Sequence, residues 1–168
     1  MNNEAREIGH LTYGILKGKF ELPSEERLAK GPVAIIECTE DIPCDPCVEA
    51  CKPGAISKES LITPPIIDYE KCTGCTLCMD ICPGLAIFVV NMNYKESKAL
   101  VFIPYEMLPL PKKGEKVNAL GRSGKKIGEA EVINIRKGKG RTYIVSLVVD
   151  RELAMEARSI KMQQEENE

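Results

Sequence analysis

The apolar positions of this chain fall into short runs, none of which reaches the roughly 20 residues of a membrane-spanning helix. Near the start, Ser24 precedes the run Glu25 to Lys30 and Gly31 follows it, which predicts one short capped helix. The segment 31–37, GPVAIIE, predicts a strand. A chain of short elements with no membrane segment is therefore expected.

Beyond Asn91 the pattern changes to β-rich runs separated by Gly and Lys turns. The candidate strands cover residues 100–105, 116–120, 127–135 and 142–149. Their turn-like connections predict a small antiparallel barrel or meander. After Asp150 the helix formers continue to about Met162, so a final helix is predicted, followed by a frayed tail, QQEENE.

These elements predict an α+β protein built from four consecutive parts. The parts are an N-terminal extension (1–32), a cysteine-rich domain (33–94), a small antiparallel β domain (95–150), and a C-terminal helix and tail (151–168). The first residues carry charges where a signal peptide would have its apolar segment, so a cytoplasmic protein is expected.

The net charge of -2 conceals an uneven distribution. Residues 1–70 carry 7 basic and 13 acidic side chains, whereas residues 112–141 carry 10 basic and 3 acidic ones. We interpret this basic segment first as solvated turn residues. The alternatives are docking to an acidic partner or to the chain's own acidic half, and binding to nucleic acid.

Eight cysteines among 168 residues dominate the chemistry of the chain. In a reducing compartment they indicate metal binding rather than disulfides. The cysteines form two runs of four. The later run places Cys72, Cys75, Cys78 and Cys82 at the C-x2-C-x2-C-x3-C-P spacing of a cubane iron-sulfur site. An earlier run repeats the pattern with a longer first gap. Its members are Cys38, Cys44, Cys47 and Cys51.

Over residues 33 to 90 the chain resembles the bacterial two-cluster ferredoxins, which have two short hairpins and two short helices. The resemblance implies two 4Fe-4S clusters and one-electron transfer. In such proteins the fourth cysteine of each run binds the other cluster. It thus implies one quartet of Cys72, Cys75, Cys78 and Cys51, and another of Cys38, Cys44, Cys47 and Cys82. The chain departs from this family in the spacer TEDIP after Cys38 and in Lys52, where proline is usual.

The phrase ECTEDIPCDPCVEACKPGAI also resembles the ferredoxin-type small subunit of flavin-dependent amine or amino-acid dehydrogenases, including dye-linked proline dehydrogenase complexes. That resemblance implies a hetero-oligomer in which the chain relays electrons between a flavoprotein subunit's flavin and another carrier. The chain has no self-contained active site, because His10 is its only histidine and no Ser-His or Cys-His pair is expected.

The sequence is also compatible with other functions. The chain could be a freely diffusing ferredoxin, or a nucleic-acid-binding module whose fold is stabilised by a cluster or by zinc. The pairs Cys44 with Cys47 and Cys72 with Cys75 could compose one tetrahedral zinc site.

Overall fold

The structure is a computed structural model that describes residues 7–163. Its short α-helices are α1 (Tyr13–Lys19), α2 (Glu25–Ala29), α3 (Pro46–Glu49) and α4 (Leu77–Ile81). The predicted helix α2 is confirmed, because the Ser24 hydroxyl accepts a hydrogen bond from the Arg27 backbone N–H at 3.2 Å and so caps its first turn. In this part of the chain no helix is long and apolar enough to cross a membrane.

Seven strands form one antiparallel sheet in the order β1-β4-β5-β8-β7-β6-β9. They are β1 (Val33–Ile36), β4 (Ile87–Asn91), β5 (Lys98–Tyr105), β6 (Lys116–Leu120), β7 (Lys126–Lys137), β8 (Tyr143–Asp150) and β9 (Ser159–Met162). Strands β2 (Ile56–Ser57) and β3 (Ile66–Ile67) pair separately as a short hairpin. All four predicted strands beyond Asn91 are confirmed, and β6 has the predicted bounds.

The strands of the sheet contribute to two apolar clusters, a large core and a smaller one that includes the buried cysteines. The large core is enclosed by the sheet. Along β5, buried and half-buried positions alternate, which directs Val101 and Ile103 inward. The same core includes Val33 from the first strand of the sheet and Ile160 from the last. Since the two end strands contribute to one core, the sheet curls toward a partly closed barrel. The pairing of β4 with β5 carries this sheet across the predicted boundary at residue 94.

The predicted C-terminal helix is wrong. A single 3-10 turn covers Arg151–Leu153, and the chain then forms β9, which pairs with β6. Ile160 is buried in the core while Lys161 is exposed, an alternation that belongs to a strand. The open edge of β6 supplies backbone partners, and this pairing overrides the local helix propensity. The predicted tail from residue 164 onward lies outside the described residues.

Candidate iron-sulfur centre

Helices α3 and α4 bring the two cysteine runs together. The two helices contact each other, and each carries one buried cysteine, Cys47 on α3 and Cys78 on α4. Pro46 begins α3, where its fixed φ suits the first helical position. Cys51 follows α3 closely and Cys82 directly ends α4. Each helix therefore presents two cysteines about one turn apart.

One pocket is lined by Cys51, Cys72, Cys75 and Cys78, and we call it the Cys78 pocket. Backbone N–H groups point at its sulfur atoms: Ala34 donates to Cys72 Sγ at 3.4 Å, and Ala55 donates to Cys51 Sγ at 3.2 Å. Such donors stabilise thiolates and sulfur ligands. Cys75 is the exposed member, so the Cys78 pocket reaches the protein surface there.

A second pocket is lined by Cys38, Cys44 and Cys82 together with Lys58, and we call it the Cys47 pocket. The thiol of Cys47 is buried, and these three cysteines lie near enough to contribute to its raised pKa. Cys38, Cys44 and Cys82 are half-buried. The eight thiols therefore divide between two pockets.

Burial raises the pKa of Cys47 to about 11 and that of Cys78 to about 12. Neighbouring thiols contribute to both of these raised pKa values, since charging several sulfur atoms in one place is unfavourable. For Cys47 these neighbours are Cys82, Cys38 and Cys44. For Cys78 they are Cys72, Cys75 and Cys51. A bound metal centre would supply the positive charge that lets each group exist as thiolates.

The donor sets fit 4Fe-4S clusters better than they fit one zinc ion. All eight cysteines are free thiols. The pair Cys44 and Cys47 belongs to one pocket and the pair Cys72 and Cys75 to the other, so they do not form one tetrahedral site. Within residues 7–163 no three His, Cys, Asp or Glu side chains converge on a point that could hold a single metal ion. Cubane ligands bind separate iron atoms and need not converge. The groups have the same members as the predicted quartets, while their role as ligands stays a prediction.

Comparisons with known proteins agree with this chemistry. Residues 65–88 match the family of 4Fe-4S binding domains. The chain carries a 4Fe-4S ferredoxin domain. The chain is also similar to a protein from Methanothermobacter marburgensis, the pyruvate synthase subunit PorD, to which it is 44% identical over 46 residues. That match covers 27% of this chain and 51% of the relative, so the chain spans about half the length of the relative. No solved structure matches the chain.

A glycine in the ferredoxin domain is fixed by close packing. Gly74, between Cys72 and Cys75, has φ +63°, and an added Cβ would lie 2.6 Å from the backbone carbon of Pro32. The loop that carries these two cysteines therefore packs directly against the segment that precedes β1. Sequence reasoning treated the position only as spacing between cysteines.

Sequence reasoning also missed a contact between the β-rich part and α4. The Arg136 guanidinium on β7 donates to both carboxylate oxygens of Asp80, at 2.8 and 2.9 Å, and to the Thr76 hydroxyl at 2.8 Å. Asp80 lies on α4 between Cys78 and Cys82 and is only 6% exposed. Arg136 belongs to the basic segment 112–141, but Asp80 lies outside the acidic segment 1–70, so this pair is a local contact with α4 and not docking to the chain's own acidic half.

Proposed function

We propose that this protein is an electron-transfer subunit that binds two 4Fe-4S clusters and relays single electrons within an oxidoreductase complex. The observation that carries the proposal is the division of eight free thiols into two groups of four around two pockets. A bound 4Fe-4S cluster would supply reversible one-electron chemistry.

The residues of each pocket would hold and shield such a cluster. Thiolates of Cys51, Cys72, Cys75 and Cys78 would bind one, and those of Cys38, Cys44, Cys47 and Cys82 the other. The Ala34 and Ala55 N–H groups would donate to sulfur and stabilise added negative charge. Burial of Cys47 and Cys78 would exclude water from the inner side of each pocket.

Two observations support a role inside a complex. Apolar side chains are exposed beside Cys44: Ile42 at 50%, Leu61 at 54% and Ile62 at 53%, and the Cys44 backbone N–H bonds the Leu61 carbonyl. Apolar surface of this kind favours contact with another protein. The matched relative is named as a subunit of pyruvate synthase. By analogy we propose a hetero-oligomer for this chain. The comparisons give no support to the flavoprotein partner, which stays a prediction.

Iron and acid-labile sulfide analysis of anaerobically purified protein tests the cluster proposal. We expect about eight of each per chain, and visible absorption that bleaches on reduction. A content of about four would contradict the second cluster. Zinc in place of iron and sulfide would contradict the proposal as a whole and favour the nucleic-acid-binding module whose fold is stabilised by zinc.

Purification of the tagged chain from its native cells, under anaerobic conditions, tests the complex. We expect stoichiometric partner subunits whose substrate reduces the clusters. A bound flavin, with reduction by an amine or amino acid, would support the flavoprotein partner, whereas reduction by pyruvate would favour the analogy with the relative. A chain that purifies alone would instead be a freely diffusing ferredoxin.

A further inference from the structure

A buried arginine from the N-terminal extension contacts the Cys78 pocket. Arg27 on α2 is only 6% exposed, and its guanidinium donates to backbone carbonyls alone. Nε bonds the Tyr69 carbonyl at 2.6 Å, Nη1 bonds that of Gly31 at 3.4 Å, and Nη2 bonds that of Pro32 at 3.1 Å. Nη2 also donates to the carbonyl of Cys72. Arg27 thus joins the extension to the loop that carries a proposed ligand.

Arg27 carries a buried positive charge. In residues 7–163 no Asp or Glu oxygen lies within 4.0 Å of its nitrogen atoms, whereas the buried Arg158 bonds Glu37 at 2.7 Å. Carbonyl dipoles satisfy the N–H donors but leave the net positive charge in place. A buried cation without a counter-charge is costly unless another negative group lies nearby. The thiolates that would hold a cluster in the Cys78 pocket would supply such a charge, and Arg27 reaches that pocket through the Cys72 carbonyl.

The Cys47 pocket has a corresponding cation. Lys58 is half-buried, and its ammonium donates to the Cys44 carbonyl and, at 2.7 Å, to that of Leu61. No acidic side chain of the described region lies within 4.0 Å of it either. Each pocket therefore has one cation that bonds the backbone of one of its cysteines.

We propose that Arg27 and Lys58 are positioning residues that fix one cysteine of each pocket and favour the reduced, more negative state of the cluster bound there. The inference rests on the proposed function, since it requires two clusters. Reduction adds one negative charge at each site, and a nearby cation lowers the free energy of that state. The effect of Arg27 should be larger, because it is buried and Lys58 is partly screened by solvent.

Redox titration followed by electron paramagnetic resonance, on the anaerobic full-length protein, tests this inference. We expect Arg27→Met to lower the midpoint potential of the cluster in the Cys78 pocket by about 59 mV, which corresponds to a tenfold change in the one-electron equilibrium constant. Lys58→Met should lower the other midpoint by a smaller amount. Arg27→Lys keeps the charge and should recover most of the wild-type potential. Lys30→Met, which removes an exposed cation paired with Glu70, is the control and should move neither midpoint.

The outcomes separate this inference from the proposed function. Wild-type protein without iron and sulfide would refute the proposed function itself. Intact clusters with unmoved midpoints in both Arg27→Met and Lys58→Met would overturn only the inference. Equal shifts in Arg27→Lys and Arg27→Met would show a purely structural role and would also overturn it. If Arg27→Met fails to assemble clusters, the midpoint potential of Lys58→Met, at the more exposed site, tests the inference. A lowered midpoint supports the inference and an unmoved midpoint overturns it.

Discussion

A buried ion-pair cluster around Glu37 joins β1 to the far side of the sheet. Glu37 Oε1 accepts hydrogen bonds from Arg158 Nε at 2.7 Å and from Arg122 Nη2 at 2.6 Å, and Oε2 accepts one from Arg122 Nε at 3.0 Å. The side chains of Glu37, Arg122 and Arg158 are 7%, 5% and 4% exposed. Because Arg122 follows β6 and Arg158 precedes β9, this cluster connects the two ends of the sheet next to Cys38.

The substitution Glu37→Gln keeps the shape of the side chain and removes its charge. Two buried guanidinium groups would then share only Glu156, which is 39% exposed and lies 2.8 Å from Arg122 Nη1. Burial already lowers the pKa of Arg158 to about 10, and the charge of Glu37 opposes that shift. Removing one partner from a buried ion pair costs about 3–5 kcal/mol of stability. For a chain of this length we expect Tm to fall by about 6–20 °C.

Thermal unfolding of the anaerobic, cluster-loaded protein, followed by circular dichroism, measures this loss. Glu70→Gln is the matched control, because Glu70 pairs with Lys30 at the surface. The Glu70 side chain is 71% exposed and the Lys30 side chain is 61% exposed. Exposed pairs contribute about 0.2–1 kcal/mol, so that variant should unfold close to wild type. If Glu37→Gln unfolded at the same temperature as Glu70→Gln, the argument for a buried, stabilising ion-pair cluster would be refuted.

Three further predictions concern the cysteines and their loops. Cys75→Ser should remove about half of the iron and Cys44→Ser the other half, and an unchanged iron content in both would contradict the ligand assignment. Gly74→Ala should reduce iron at one site more than Gly54→Ala does, since both have positive φ but only Gly74 meets backbone within 4 Å; equal losses would contradict this. Iron-free protein should lose stability as pH rises from 9 to about 11, because the fold retains the Cys47 proton after the unfolded chain has released it. Urea unfolding at pH 8 and 10.5 measures this, and a flat profile would count against it.

Patterns within single elements were predictable from the sequence. Strand β5 is predicted over 100–105 from a run of strand-forming apolar residues, and it extends over Lys98–Tyr105. The helix at Glu25–Ala29 followed from its Ser24 cap, which is a contact within one turn. The spacing of Cys72, Cys75 and Cys78 likewise indicates that these three thiols can bind one site, whereas the exchange of Cys51 and Cys82 between the runs rests on the resemblance to two-cluster ferredoxins.

Contacts between distant segments could not be predicted in this way. The Arg27 bond to Cys72 spans 45 residues, the Arg136 bond to Asp80 spans 56, and the Arg158 bond to Glu37 spans 121. Nothing local in the sequence distinguishes Arg136 from exposed basic residues such as Lys125. Strand β9 was missed for the same reason, since its partner β6 is not adjacent in sequence.

These long-range contacts converge on the cysteine-rich part of the chain. Arg27 of the N-terminal extension bonds the Cys72 carbonyl, and Arg136 of the β-rich part bonds Asp80 on α4. Arg158, which precedes the last strand, bonds Glu37 next to Cys38. Parts that served only to attach a ferredoxin domain to a partner would not need buried contacts beside its cysteines. In the proposed electron-transfer function, these flanking contacts would fix the positions of the cysteine ligands and of the charges near them, which such sites require.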